Sequence, residues 1–537
     1  MRRFLVALAC AGACQNGNSG GATPDAPSST TPPSADVIRF LQQSSFGPSE
    51  ALAAQAQSQG IEAYVDAQLA LPATSLGTFP VVTQPISTVC PPTGAPPNCF
   101  RDNFTAYPVT VAFFQNTLTA PDQLRQRVAF ALGQILVVSG LEVQSAYGVA
   151  AYQQLLQNDA FGNFRQLLED VTLSPAMGRY LNMVNNDKPD PTKGTHPNEN
   201  YARELMQLFS IGLVELGADG SVTLDESGSP IATYDQSDVS ELARVFTGWT
   251  YPTMPGQSAG THNPAYFIGP MIAVASKHDT GPKTILGGVA IPAGQTPAKD
   301  LADALDAIFR HPNVGPFIGR QLIQHLVTSN PSPAYVARIS AVFADDGHGV
   351  RGNLAAVVKA ILLDPEARGD AKTDAPYGKL REPALYITGL ARAIGAQSDG
   401  VFLRNASASL EQDVYQAPSV FSFYPPDTPL PGTSLVSPPS QLFDSTTALS
   451  RPNFVYSLLY SAPAGTSATL ADFTGDAADP GKLVDRLGVL FVHGAMSADV
   501  RQAIVDAVTG VAATDALGRV RMAVYLVATS PQAQVEE

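Results

Sequence analysis

His196-Pro197-Asn198-Glu199-Asn200-Tyr201-Ala202-Arg203-Glu204-Leu205-Met206-Gln207-Leu208-Phe209-Ser210-Ile211-Gly212 is the stretch from which the rest of the chain can be read. Pro197 suits a first helical turn, where its missing N–H has no intrahelical partner. Glu199 in that turn complements the positive end of the helix dipole. The spacing predicts a helix over about 197–211. Tyr201, Leu205, Leu208, Phe209 and Gly212 recur at i, i+4, i+7, i+8 and i+11, one apolar stripe against a core. Glu199 points away from that stripe and Glu204 lies on its edge, where a half-buried carboxylate requires a partner.

Working outward, the same 3.6-residue period dominates. It predicts helices at 36–43, 61–71, 124–138, 146–158, 161–170, 236–246, 298–310, 313–327, 333–345, 352–363, 378–394, 441–461, 482–491, 497–509 and 514–529. Several stop at Gly or Pro, as at Gly212, Gly248 and Pro365. Strand signals are few: 271–275 and 284–291 are expected to make a hairpin. The fold class is therefore mainly α, a large multi-helix globular domain with long loops. Segments 213–234, 250–297 and 414–440 are Gly/Pro-rich loops of a length that tends to be functional or mobile.

The N-terminus reads as an export signal: Met1-Arg2-Arg3, an apolar run from Phe4 to Ala9, then small residues around Ala11-Gly12-Ala13. Cys14 follows directly and has the placement of a lipoprotein processing site, with Cys10 as the alternative. Residues 15–35 lack the apolar content to fold and read as a disordered tether, leaving 36–535 as one large helical domain. The expected location is the periplasm, outer membrane or cell surface, with membrane contact only through a lipid anchor. Cys90 and Cys99 bracket a turn-rich loop and are expected to form a disulfide in an oxidising compartment.

Of the 537 residues 45% are hydrophobic and only 15% charged, with a net charge of −15. Backbone binding of nucleic acid needs a Lys/Arg surface, and no such run exists. No H-E-x-x-H, G-x-S-x-G or Walker motif occurs.

Six blocks, in order, carry a family resemblance: Leu124–Leu132 (L-R-Q-R-V-A-F-A-L), His196–Gly212, Asp238–Trp249 (D-V-S-E-L-A-R-V-F-T-G-W), His278–Gly287 (H-D-T-G-P-K-T-I-L-G), His311–Leu322 (H-P-N-V-G-P-F-I-G-R-Q-L) and Lys379–Pro383 (K-L-R-E-P). From Leu124 onward the chain resembles the bacterial family called domain of unknown function 1800, which has no settled activity. It departs from many relatives in having Ala417-Pro418-Ser419-Val420-Phe421-Ser422-Phe423 where they carry a Gly-Trp pair. It also lacks histidines over Phe130–Ile135. Chemistry that relied on those groups is not available here by the same residues.

The candidate catalytic groups are His196, Glu199, Glu204, His278 and Asp279, with Asn200, Arg203, Trp249 and Lys283 as candidate binding residues. An imidazole with a carboxylate serves as general base and orienter, or binds a divalent cation through nitrogen and oxygen. Each has a plainer reading: a salt bridge for Glu204 to Arg127, to Arg244 or near Arg203, a capping or loop-packing role for His196, a packing anchor for Trp249, and core positions for His311 and His325. Two functions follow as expectations. One is an exported, lipid-anchored platform for binding or assembly. Resemblance implies a hydrolase-like partner, because relatives are often encoded beside a family numbered 1501 that looks related to the alkaline-phosphatase and sulfatase superfamily. The alternative is a hydrolase or lyase of envelope or extracellular polymers using the Glu/His/Asp groups.

Overall fold

The apolar run expected over 124–138 forms the Gln123–Ile135 helix, buried on nearly every side. A helix without a polar face needs neighbours all round. Ile61–Leu69, Ala146–Asp159 and Val314–Leu326 supply them. The computed structural model describes residues 33–369, 372 and 376–536. The readings of Cys10, Cys14 and most of the tether lie outside these residues. From Pro33 onward the chain forms one compact unit around a continuous apolar core.

The fold is mainly α, and helix starts follow local chemistry. Ser332 caps the helix Pro333–Ala344 by accepting from the Tyr335 N–H, with proline in the first turn. Asp235 and Asp238 form a reciprocal capping box at Gln236–Val245. Toward the C-terminus Ser445–Tyr460, Pro480–Val492, Ala498–Thr509 and Ala516–Thr529 pack on one another.

Among the described residues the strands are short and pair two by two, all antiparallel. The hairpin expected between 271–275 and 284–291 does not form. Ile272–Ala273 pairs instead with Trp249–Thr250, and Lys283–Ile285 folds back on Val289–Ile291 across Leu286-Gly287-Gly288. The glycines supply the positive φ that a tight reversal needs. Lys379–Leu380 pairs with Val535–Glu536, so the end of the chain lies beside the K-L-R-E-P segment.

Two expected helices are shorter than their periodicity. The 378–394 helix begins only at Pro383, because a residue before proline is pushed out of the α region and Glu382 is extended (ψ 152°). The 197–211 helix runs over Asn200–Gln207. Asn198 turns its side chain onto the Asn200 N–H at its start. At its end the N–H groups of Ile211 and Gly212 both reach back to the Met206 carbonyl, with Gly212 left-handed.

Candidate functional site

The residues singled out by sequence fall into three separate environments. His196 is exposed on the lip of an open groove of about 910 Å³ that also includes Asp187, Lys188, Asn198 and Lys277. Asp187 is held there by Lys277 Nζ at 2.6 Å and His262 Nε2 at 2.9 Å. Glu199 belongs to a surface network: the Ser240 hydroxyl donates to it at 2.7 Å, the Gln236 amide at 2.9 Å and Arg203 at 3.1 Å. These bonds, Ser240's above all, hold its carboxyl below the usual range. Asn200 opens the helix.

Glu204 is 9% exposed and its Oε2 has no partner. Burial pushes its carboxyl up, opposed by Arg203. The expected salt bridge to Arg127 or Arg244 is absent. Arg244 is taken by Asp279, through Nε at 2.7 Å and Nη2 at 3.2 Å, and by Glu241. Arg127 donates to the His325 carbonyl instead.

His278 and Lys283 are sealed in. Asp300 Oδ2 accepts from Lys283 Nζ at 2.6 Å and lies 3.0 Å from His278 Nε2, while His278 Nδ1 faces the Thr247 carbonyl at 2.9 Å. Lys283 also donates to the carbonyls of Asp279 and Gly281. Burial raises the Asp300 carboxyl, but the bonds from His278 and Lys283 outweigh it and leave the group below its ordinary value. Gly248 (φ 82°) lies against this knot; a Cβ there would stand 2.8–2.9 Å from the His278 backbone, so the T-G-W sequence is required by packing. Trp249 is a buried packing residue whose Nε1 has no partner. No hydrogen bond or ion pair among the described residues joins His196, Glu199 or Glu204 to His278 or Asp279. Nor does any group of three or more His, Cys, Asp or Glu side chains among them stand ready to hold a metal ion.

A different set of residues surrounds a narrow cavity of about 50 Å³ that opens to solvent beside the 40%-exposed Phe421. Its polar wall is made by Gln134, Gln321, Gln324, His325, Lys379 and Glu382, closed by Tyr424. Gln134 is 8% exposed and neither atom of its amide has a partner. Gln324 donates to the carbonyls of Ser329 and Pro426 at 3.1 Å each, leaving Oε1 unpartnered. Glu382 stands at a helix N-cap yet makes no cap bond. Its Oε2 accepts instead from Gln412 at 2.5 Å and from the Tyr424 hydroxyl at 2.9 Å. Lys379 donates to the His325 carbonyl, and its nearest carboxylate oxygen, on Glu536, is 3.7 Å away. Burial lowers the Lys379 ammonium to about 8. Burial, with Lys379 and Arg127 behind it, lowers His325 to about 3, so the ring is neutral at ordinary pH.

The family model described as "Protein of unknown function (DUF1800)" matches residues 39–535. The chain belongs to this family. Neither the curated proteins nor the solved structures give a match. For a family-1800 chain, the placement of the shared segments is informative. Lys379, Leu380 and Glu382 come from the K-L-R-E-P block, Phe317 and Gln321 from His311–Leu322, and Leu208 from His196–Gly212. Gln134 and Ile135 lie on the helix begun by L-R-Q-R, and Val420 and Phe421 on the 417–423 segment. That last segment is bent at Ser422 (φ 60°) and entered through Tyr415 (φ 68°), left-handed positions that cost a non-glycine residue roughly 1–2 kcal/mol each. Three of the six blocks thus meet at this cavity, while Gln134, Ile135, Val420 and Phe421 come from the two stretches in which the chain departs from many relatives; the Asp238 and His278 blocks do not reach it.

Sequence reading missed this site because its polar members are glutamines and a histidine on apolar helices, where a core role is the ordinary one. Lys379 and Glu382, three apart in a chain short of charge, were the available signal.

Proposed function

We propose that this family-1800 protein is a binding protein whose ligand seats in the Gln134–Lys379–Glu382 cavity. The observation that carries the reading is Gln134: a buried primary amide whose two donors and acceptor have no partner in the protein, on the wall of a cavity where three of the family's segments meet. Buried polar groups in folded proteins are nearly always paired. Atoms left unpaired beside a cavity are pre-positioned for a ligand. The hydrolase or lyase reading through His278 and Asp279 has less support, since their hydrogen-bonding capacity is spent on Thr247, Asp300 and Arg244.

The platform reading extends this. The chain is exported and lipid-anchored at Cys14, with Cys10 as the alternative, and presents its ligand to a hydrolase-like protein of the 1501 type. The Cys90–Cys99 disulfide supports an oxidising compartment. Saturation-transfer NMR on the purified chain with benzoate, benzamide and methyl β-glucoside tests the binding site. At least one probe gives a signal that Gln134→Leu abolishes. Silence from all three, or signals indifferent to Gln134→Leu, overturns the reading. The anchor is tested separately, by whether Cys14→Ser moves the protein from the membrane to the soluble fraction of a bacterial host.

A further inference from the structure

The charge of the ligand can be argued from the same wall, an inference that rests on the binding reading above. Of the buried charges, Lys379 and Glu382 line the cavity. Arg127, Arg381 and Glu536 stand within electrostatic range of Lys379, with Arg381 and Glu536 lining a separate pocket, and Arg451 lies behind Arg381 over the Tyr386 and Phe443 rings. Among the described residues, none of the three arginines has a carboxylate within ion-pair distance. Arg127 donates to the His325 carbonyl, Arg381 to the Phe491 carbonyl, and Arg451 to the Arg381 carbonyl and the Gln534 amide oxygen. Each leaves its Nε without a partner, and Arg127 leaves Nη1 as well. Buried cations without counter-charge are costly, and an anion meeting Lys379 in the cavity would offset part of that cost.

Lys379 is the cation that lines the cavity, and it is under-used. Of its three N–H groups one goes to the His325 carbonyl, and the Glu536 oxygen at 3.7 Å is beyond hydrogen-bond range. The Gln134 amide adds two further donors on the same wall. Glu382 shares that wall, and its negative charge opposes a dianion more than a monoanion. Beyond the polar groups the lining is apolar: Ile135, Leu208, Phe317, Leu385 and Val420, with Phe421 40% exposed. We propose that the ligand is a monoanionic carboxylate borne on an apolar or ring-shaped body, its oxygens meeting the Lys379 ammonium and the Gln134 amide and its body lying against Phe317, Val420 and Phe421.

Isothermal titration calorimetry of the whole chain with benzoate, its neutral isostere benzamide and inorganic phosphate decides the matter. Benzoate binds at least tenfold more tightly than either of the others. Lys379→Met weakens benzoate at least tenfold and leaves benzamide within about twofold, whereas Gln134→Leu weakens both. Should Lys379→Met fail to fold, the ratio of benzoate to benzamide affinity on the unaltered protein still separates the charged ligand from the neutral one. Benzamide binding as tightly as benzoate, both lost in Gln134→Leu, overturns the carboxylate while leaving the binding reading intact. Phosphate binding most tightly overturns the monoanion. Absence of binding by all three overturns this inference, and if methyl β-glucoside is also silent it removes the binding reading too.

Discussion

Replacing Gln134 by leucine should make the ligand-free protein more stable while destroying its site. In the folded chain the Gln134 amide is buried and makes no hydrogen bond to any other protein group. An unsatisfied buried polar group costs about 1–3 kcal/mol, and leucine of similar volume removes that cost without orphaning any neighbour. With an unfolding entropy near 2.1 cal/mol/K per residue, a folded unit of roughly 500 residues changes its Tm by about 1 °C per kcal/mol, so the expected rise is roughly 1–3 °C. The helix carries its own control. Gln126, also buried, donates to Asp122 at 3.2 Å and accepts from Gln157 Nε2 at 3.0 Å. Gln126→Leu leaves the Gln157 donor stranded and should lower Tm by about the same amount. Differential scanning calorimetry of both variants without added ligand is the assay. A fall in Tm for Gln134→Leu, or a rise for Gln126→Leu, would refute the claim that the two glutamines differ in satisfaction.

Three further outcomes follow from charge. Asp300→Asn strands the Lys283 ammonium and the His278 ring and should cost about 3–5 kcal/mol, a Tm fall of roughly 3–5 °C at pH 7. Because the folded Asp300 carboxyl lies below its ordinary value, this difference is fully present above about pH 3.9 and fades as pH falls further; a penalty under 1 °C at pH 7 sinks the argument. Glu204 has the opposite sign. Burial raises its carboxyl, so the ionised form loses stability as pH climbs from about 4.3, and Glu204→Gln should melt higher than the parent at pH 8 and close to it at pH 4; equal melting at pH 8 means that Oε2 has a partner after all. Lys379 is lowered to about 8 by burial first, with Arg127 and Arg381 pushing down and Glu536 and Glu382 pushing up. Benzoate affinity should therefore drop as pH rises from 7 to 9 while benzamide affinity stays level, and a flat benzoate profile refutes the ammonium's part.

Most of the helical framework was legible because amphipathic periodicity and end signals agree. Ser332-Pro333 and Asp235 to Asp238 mark helix starts by chemistry that acts over three or four residues. What escaped notice lacked either signal. Glu50–Gln59 is mostly alanine and glutamine with little contrast between its faces, and Tyr107–Thr119 is rich in aromatic and β-branched residues that lower helix propensity. The strand pairings were misread for a different reason. Trp249 finds Ala273 across a long loop and Lys379 finds Glu536 across a run of helices, and such register is set by tertiary contacts that no local pattern records. The site was half legible: the polar density of His196–Glu204 and His278–Lys283 was plain, but density of charge does not reveal whether each charge already has a partner.

That distinction separates framework from site in this molecule. Around His278 every lysine, arginine and carboxylate has a close partner: Lys283 on Asp300, Arg244 on Asp279 and Glu241, with the His278 ring also against Asp300. A saturated network fixes the path of the Gly248 and His278 loops and has no capacity left for anything arriving from solvent. Around Gln134 and Lys379 the reverse holds. Two amides have unspent atoms, Arg127 and Arg381 spend their donors on carbonyls, and the one ammonium in the lining has a single short bond. Such an arrangement is destabilising for the ligand-free fold, and the opposed melting shifts of Gln134→Leu and Asp300→Asn measure the difference directly: polar groups that hold the scaffold lose stability when altered, and polar groups kept for a ligand gain it.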